Sequence, residues 1–274
     1  MGHARTFWIA WQRSLAANGA FVLRDEDLDL QRSRPEFASA MLEDLRWFGI
    51  QWQEGPDLGG PFAPYRQSER HDFYLAAWKR LLDAGFVYAC SCSRKDLAEA
   101  AQAPHEGSPD LNDEPIYSGR CRGNRVAAES PAGYNWRFRV PDGEAIGFFD
   151  QQQQRQEFIA GKDFGDFVIW RRDDVPAYQL AVVADDDAMR ITEVVRGADL
   201  LKSTARQLLL MKALGIAAPA YFHCDLLLDE RGQRLAKRHD PLSLRALRAA
   251  GWTPEQVREK WIEGIHNGVT ETRR

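Results

Sequence analysis

The chain has 274 residues, 44% hydrophobic and 28% charged, enough to bury a sizeable core as one large domain or as one domain with an insertion. No stretch approaches the roughly 18 apolar residues of a bilayer span, and the start, with His3 and Arg5 ahead of Trp8-Ile9-Ala10-Trp11, lacks a cleavable signal pattern, so a cytoplasmic protein with no membrane partner is expected. A formal charge of -4 excludes an indiscriminate nucleic-acid-binding polycation, and four cysteines are too few for a disulfide framework at this length.

From Ala4 to Asn18 apolar residues recur at helical spacing, and Gly19 closes the segment. Gly2-His3 then stands at a helix start, where backbone N–H groups and an imidazole suit an anionic phosphate. A frayed N-terminus is the plain alternative. Phe21 to Arg24 reads as a short buried strand. Ser33 is expected to cap a helix over 35–48 with Pro35 at its first position, and Ser68 to cap an amphipathic helix over 69–84 that stops at Gly85.

Over 90–141 alternation weakens, and the polar, proline-punctuated stretch 101–115 reads as part of an inserted segment. Cys90 and Cys92 are too close to pair comfortably, so with Cys121 they suit either a tetrahedral zinc or free buried thiols, whereas Cys224 reads as core. Gln151 to Gln154 is expected to be a solvated turn. Strands are predicted over 167–170, 179–183 and 191–195, followed by a helix over 200–214, and this alternation suggests an open parallel sheet. After a strand-like run over 221–228 and a turn over 229–232, Arg234-Leu235-Ala236-Lys237-Arg238 forms a basic loop that can close over a triphosphate, or a solvated basic turn. Helices over 242–250 and 253–263 end the chain.

A Gly-His helix start, alternating strands and a lysine loop after the last strand resemble the layout of class I aminoacyl-tRNA synthetases, whose signature motifs are known as HIGH and KMSKS. Arg24-Asp25-Glu26-Asp27-Leu28-Asp29-Leu30-Gln31-Arg32-Ser33 is similar to the R-x-E-D-x-D-x-x-R-S of the glutamyl branch. The runs Ala177 to Asp186 and Thr192 to Leu200 look like its two central strands, so the resemblance extends from Gly2 to about Leu242.

The resemblance implies a Rossmann-like α/β catalytic domain with a parallel sheet, a zinc-bearing insertion and a short helical C-terminal part. Residues 1–87 and 161–240 are expected to be its two halves, 88–160 the insertion and 241–274 the terminal helices. It implies ATP, with magnesium, held by Gly2, His3 and Lys237, with His3 and Lys237 catalytic. Glutamate would be bound by Glu26, Tyr178 and Arg196, and zinc by Cys90, Cys92, Tyr117 and Cys121, with His105 as runner-up for the last ligand. The residue types agree: Arg196 can pair with a substrate carboxylate and favour glutamate over glutamine, and Glu26 suits an ammonium group. A structural ion pair for Arg196 and a surface acidic turn for Glu26 are the plain alternatives.

The C-x-C and Y-x-x-x-C spacing, with only His239 to Arg274 after the basic loop, resembles the short members of this branch, which transfer glutamate to the queuosine base in the anticodon of tRNA(Asp). An anticodon stem-loop is then the expected partner, with Arg120, Arg122 and Arg125 as phosphate contacts, and the protein is expected to be a monomer. The family pattern begins with a strand, a loop carrying an arginine and a serine, and the first histidine of HIGH, all of which fall before Met1, so an upstream extension is expected. The alternatives are an inactive tRNA-binding relative, should Met1 be the true start, and a fragment of a glutamyl-tRNA synthetase.

Overall fold

The computed structural model describes residues 2–29, 33–92, 116–226 and 243–266, with side chains to Trp261 in the last helix. The chain divides into two compact units, one of residues 1–66, 194–199 and 222–274, the other of residues 67–193 and 200–221.

In the first unit, helix α1 (Gly2–Ala16) presents its aromatic face to helix α2 (Pro35–Trp47), and the C-terminal helices α6 (Leu244–Ala249) and α7 (Pro254–His266) complete the same core. Phe48, fully buried, lies between Trp8 and Trp261, with ring centroids 5.5 and 5.3 Å away. The chain leaves α1 through Asn18, whose φ of 51° is left-handed, so the asparagine rather than Gly19 makes the turn. Ser33 does not cap α2. Arg34 holds that position, extended at φ -104° and ψ 141°, because the ring of Pro35 drives the preceding residue out of the helical region.

The predicted strand over 21–24 is an extended segment rather than a ladder. Leu23 N–H donates to Glu54 (2.9 Å) and Asp25 N–H to Tyr65 (2.9 Å), so successive residues turn to different partners and the pairing stops at isolated bridges.

The second unit carries helix α3 (His71–Asp83), which is preceded by a 3₁₀ turn over Gln67–Glu69 and ends at Gly85 with φ 76°. Ser68 lies in that turn and the N-cap is Arg70, because Gln67, Arg70 and Tyr74 are all directed at one buried carboxylate, Asp185. Strands β1 (Val87–Cys90), β2 (Asn135–Phe138), β3 (Ala145–Asp150), β4 (Gln154–Ile159) and β5 (Phe167–Trp170) follow. Their sheet β1-β2-β5 is antiparallel throughout. Helix α4 (Tyr178–Ala188), strand β6 (Glu193–Gly197), helix α5 (Leu201–Leu214) and strand β7 (Ala220–Cys224) follow, with α4 and α5 in the second unit and β6 and β7 each carrying the chain from one unit into the other.

The second sheet has the order β4-β3-β7-β6, with β3 and β4 antiparallel and β3 parallel to β7. The expected parallel sheet is therefore a mixed one. The β3–β4 hairpin turns at Gln151 to Gln153, where Asp150 accepts from the N–H of Gln152 (3.0 Å) and Gln153 (2.7 Å). The predicted strand over 179–183 lies in the first half of helix α4. Its apolar run continues into Asp185 and Asp186, and Leu180 to Asp186 are all buried, so the segment is a helix covered on every side with the hydrophobicity of a buried strand. Among the described residues no helix is long and apolar enough to cross a membrane.

Candidate active site

In the first unit the start of α1 lies beside the exit of β7. Arg5, in the first turn of α1, donates to the carbonyl of Asp225 at 3.2 Å, Thr6 hydrogen-bonds the Cys224 thiol, and the Arg13 guanidinium lies 4.2 Å over the Phe222 ring. Gly2 and His3 are exposed at that helix start, where the helix dipole is positive. Lys237 and its basic loop lie outside the described residues, as does His105. Cys224 is buried as expected of core, and burial raises its thiol pKa.

Arg196 sits on β6, 8% exposed, and donates from Nε to Nε2 of the fully buried His223 on the neighbouring strand β7 at 3.1 Å. The sequence reading missed His223, although a histidine at an inward position of an otherwise apolar strand was its visible signal. Beyond Arg196 the chain turns at Gly197, where an added Cβ would collide with the Asp199 carboxylate and come within 3.4 Å of Leu226. Gly197→Ala is expected to displace that carboxylate at a cost of about 1 kcal/mol, read as a lowered melting temperature.

Glu26 is exposed and accepts from Arg24 Nη2 at 3.1 Å, a geometry that also satisfies the surface-turn reading. Its neighbourhood is nonetheless anionic. Burial raises the pKa of Asp25, Asp27 and Glu26 add to that rise, and Arg66 opposes it, which marks a local negative potential suited to an ammonium group. Tyr178 belongs to the second unit, where it opens α4 with its side chain 37% exposed. Behind it Gln179 donates to Ser203 Oγ (3.1 Å) and accepts from Gln207 (2.9 Å), which fixes α4 against α5.

The cysteine cluster forms in the second unit, where the end of β1 meets residues 117–121. The Sγ atoms of Cys90, Cys92 and Cys121 all lie within 4.8 Å of one another, with Cys92 and Cys121 3.5 Å apart, while Tyr117 Oη is 3.5 Å from Cys90 and 3.4 Å from Cys92. Sulfurs bound tetrahedrally at about 2.3 Å from one zinc are about 3.8 Å apart, so the three thiols fit. Burial by itself raises the Cys121 thiol, yet hydrogen bonds from Tyr117, the Ser91 backbone and the other two cysteines bring it down to about 7. Tyr117 is the weaker donor: burial and then the three sulfurs push its hydroxyl upward, so it offers a phenol rather than a phenolate.

Two arginines and Asp166 fix this corner. The Arg137 guanidinium lies 4.1 Å over the Tyr117 ring and donates to the Asp166 carbonyl (2.7 Å), and Asp166 Oδ1 accepts from Val140 N–H (2.9 Å). Arg122 commits Nε and Nη2 to Asp166 (2.6 and 2.7 Å) and Nη1 and Nη2 to Asp142. Its expected phosphate contact is therefore corrected to a structural one, while Arg120 and Arg125 are exposed.

Residues 1–265 match the family described as tRNA synthetases class I (E and Q), catalytic domain. The chain is 48% identical over 263 residues to the glutamyl-Q tRNA(Asp) synthetase of Symbiobacterium thermophilum, covering 94% of this chain and 80% of that protein. It is 42% identical to the glutamate–tRNA ligase of a Sulfurihydrogenibium species, covering 94% of this chain and 54% of that one. The crystal structure of glutamate-tRNA synthetase from Elizabethkingia anophelis superposes with a TM-score of 0.71 at 28% identity, over 92% of this chain and 51% of that chain. Identity near one half, sustained along almost the whole sequence, reflects common descent and not merely a shared fold, and the chain belongs to the class I tRNA synthetases (E and Q), a family of ATP-using ligases.

Proposed function

We propose that the protein activates L-glutamate with ATP as glutamyl-adenylate and transfers the glutamyl group to the queuosine base in the anticodon of tRNA(Asp). The observation that carries the amino-acid assignment is Arg196, a guanidinium held in a mostly buried position at the end of β6 by a hydrogen bond to His223. A permanent cation there rewards a carboxylate with charge-assisted hydrogen bonds of about 1.5–3 kcal/mol each, and a carboxamide cannot match them. The RNA assignment is supported by the relatives: the chain is 48% and 47% identical to two glutamyl-Q tRNA(Asp) synthetases and 42% identical to a glutamate–tRNA ligase.

In this reading the glutamate α-carboxylate attacks the α phosphorus of ATP, pyrophosphate leaves, and a queuosine hydroxyl then takes the acyl group from AMP. The protein contributes positioning and electrostatics. Gly2 and His3 hold phosphate oxygens at the dipole of α1 and Lys237 offsets charge developing between the α and β phosphates, with magnesium accompanying the nucleotide. Glu26 accepts from the substrate ammonium, Tyr178 offers its hydroxyl, and Arg196 binds a carboxylate. Arg120 and Arg125 contact anticodon stem-loop phosphates. Glutamate-dependent exchange of pyrophosphate into ATP tests the first step, and exchange that runs as well with glutamine as with glutamate contradicts it.

The cysteine cluster is assigned to a structural zinc held by Cys90, Cys92, Cys121 and Tyr117. A zinc ion held there would cross-link β1 to the segment around 117–121, worth up to about 10–16 kcal/mol in comparable small sites. Cobalt substitution is expected to give thiolate-to-metal absorption that Cys92→Ser weakens, and chelation to lower the melting temperature; a chain that binds no cobalt and melts unchanged in chelator would sink the assignment.

A further inference from the structure

We propose that Arg137 is a positioning residue of the cysteine corner, whose guanidinium holds the Tyr117 ring so that the phenol oxygen completes the ligand set begun by Cys90, Cys92 and Cys121. The proposal rests on the reading of that corner as a zinc site. Arg137 stands on β2, 6% exposed between buried Trp136 and Phe138, an unfavourable place for a permanent cation. Two contacts hold it there. Nη1 donates to the Asp166 carbonyl at 2.7 Å, which fixes one edge of the fork, and the guanidinium carbon lies 4.1 Å over the centroid of the Tyr117 ring.

Tyr117 is constrained at three points. Its backbone passes so close to Gly165 that a Cβ there would lie 2.9 Å from the Tyr117 nitrogen, its ring is covered by Arg137, and its oxygen accepts from Cys121 N–H at 3.0 Å. The oxygen thereby stands 3.5 Å from Cys90 Sγ and 3.4 Å from Cys92 Sγ. A sulfur and an oxygen that share one tetrahedral ion, at about 2.3 and about 2.0 Å from it, are about 3.5 Å apart, so the phenol already occupies the place of a fourth ligand. A phenol is a weak donor, and its share in binding depends on how little freedom it loses when the ion arrives; a ring capped in advance loses little. An arginine serving only as a strut between β2 and Asp166 would need the carbonyl bond and not the ring.

The test is the zinc affinity of the whole chain, measured by competition with a chromogenic chelator, in Arg137→Gln and Arg137→Lys, each with and without Tyr117→Phe. Cobalt absorption and the melting temperature of the metal-free protein are recorded alongside. Glutamine keeps an amide donor for the Asp166 carbonyl but leaves no cation on the ring, and is expected to weaken zinc binding about 10- to 100-fold, the range for losing a group that orients a metal ligand. Lysine restores a cation and recovers part of the affinity. In Tyr117→Phe, which has itself lost the oxygen, neither substitution at position 137 weakens binding further. Unchanged zinc affinity in Arg137→Gln would overturn the proposal, as would an equal loss with and without Tyr117→Phe, the result that makes Arg137 a strut. If the glutamine variant does not fold, Arg137→Met takes its place with the same expected loss and the same comparison. A wild-type chain that binds neither zinc nor cobalt removes the zinc reading and the proposal with it, whereas a binding chain with inert Arg137 variants removes only the positioning role.

Discussion

Replacing Asp185 with alanine is expected to destabilise the second unit by about 3–5 kcal/mol, the cost of leaving a buried charge without its counter-ion. The carboxylate is fully buried, and it accepts from Arg70 Nε at 2.6 Å, Gln67 Nε2 at 2.9 Å and Tyr74 Oη at 3.0 Å. Arg70 is itself 1% exposed and cannot shed its proton, so removing Asp185 strands a cation between α3 and α4. Asp185→Asn keeps an acceptor but not the charge and should fall between wild type and alanine. Chemical denaturation reads the difference as a lowered midpoint, and a midpoint unmoved in Asp185→Ala would show that the ion pair contributes nothing to holding α3 on α4.

The second large effect concerns activity. Arg196→Ala is expected to lower kcat/KM for glutamate by about 10²- to 10⁴-fold, the equivalent of two charge-assisted hydrogen bonds. ATP should bind as before, and the melting temperature should change little relative to that loss. Arg196→Lys keeps the charge without the fork that grips a carboxylate and donates to His223, and is expected to recover only part of the activity. An alanine variant that uses glutamate as well as wild type would return Arg196 to the plain role of a structural cation.

The sequence showed the helices best, as in α3, which buries Tyr74, Ala77, Trp78 and Leu81 at the i, i+3, i+4, i+7 spacing of one helical face. Its weakest stretch was β2 to β4, and the physical reason is visible in Arg137. This arginine lies between buried Trp136 and Phe138, sheltered by the Asp166 carbonyl and the Tyr117 ring, so the strand shows neither alternation nor an apolar run. Strand β4, mostly exposed and polar, gives no signal of its own and exists because β3 pairs with it residue for residue from Ala145–Ile159 to Asp150–Gln154. Caps failed where tertiary bonds compete with local ones, as at Ser68, beside a turn whose side chains serve Asp185. At the sites, the motif residues could be named from the family resemblance, and the three cysteines do converge. Spacing could not supply the acceptor behind Arg196 or the carboxylates that occupy Arg122, since both partners come from distant segments.

The central claim is tested most directly by supplying the protein with ATP, magnesium and labelled glutamate together with tRNA(Asp) that either carries or lacks queuosine. The account predicts that label is incorporated into the queuosine-containing tRNA alone. Equal labelling of both tRNAs, or label on neither, would contradict it.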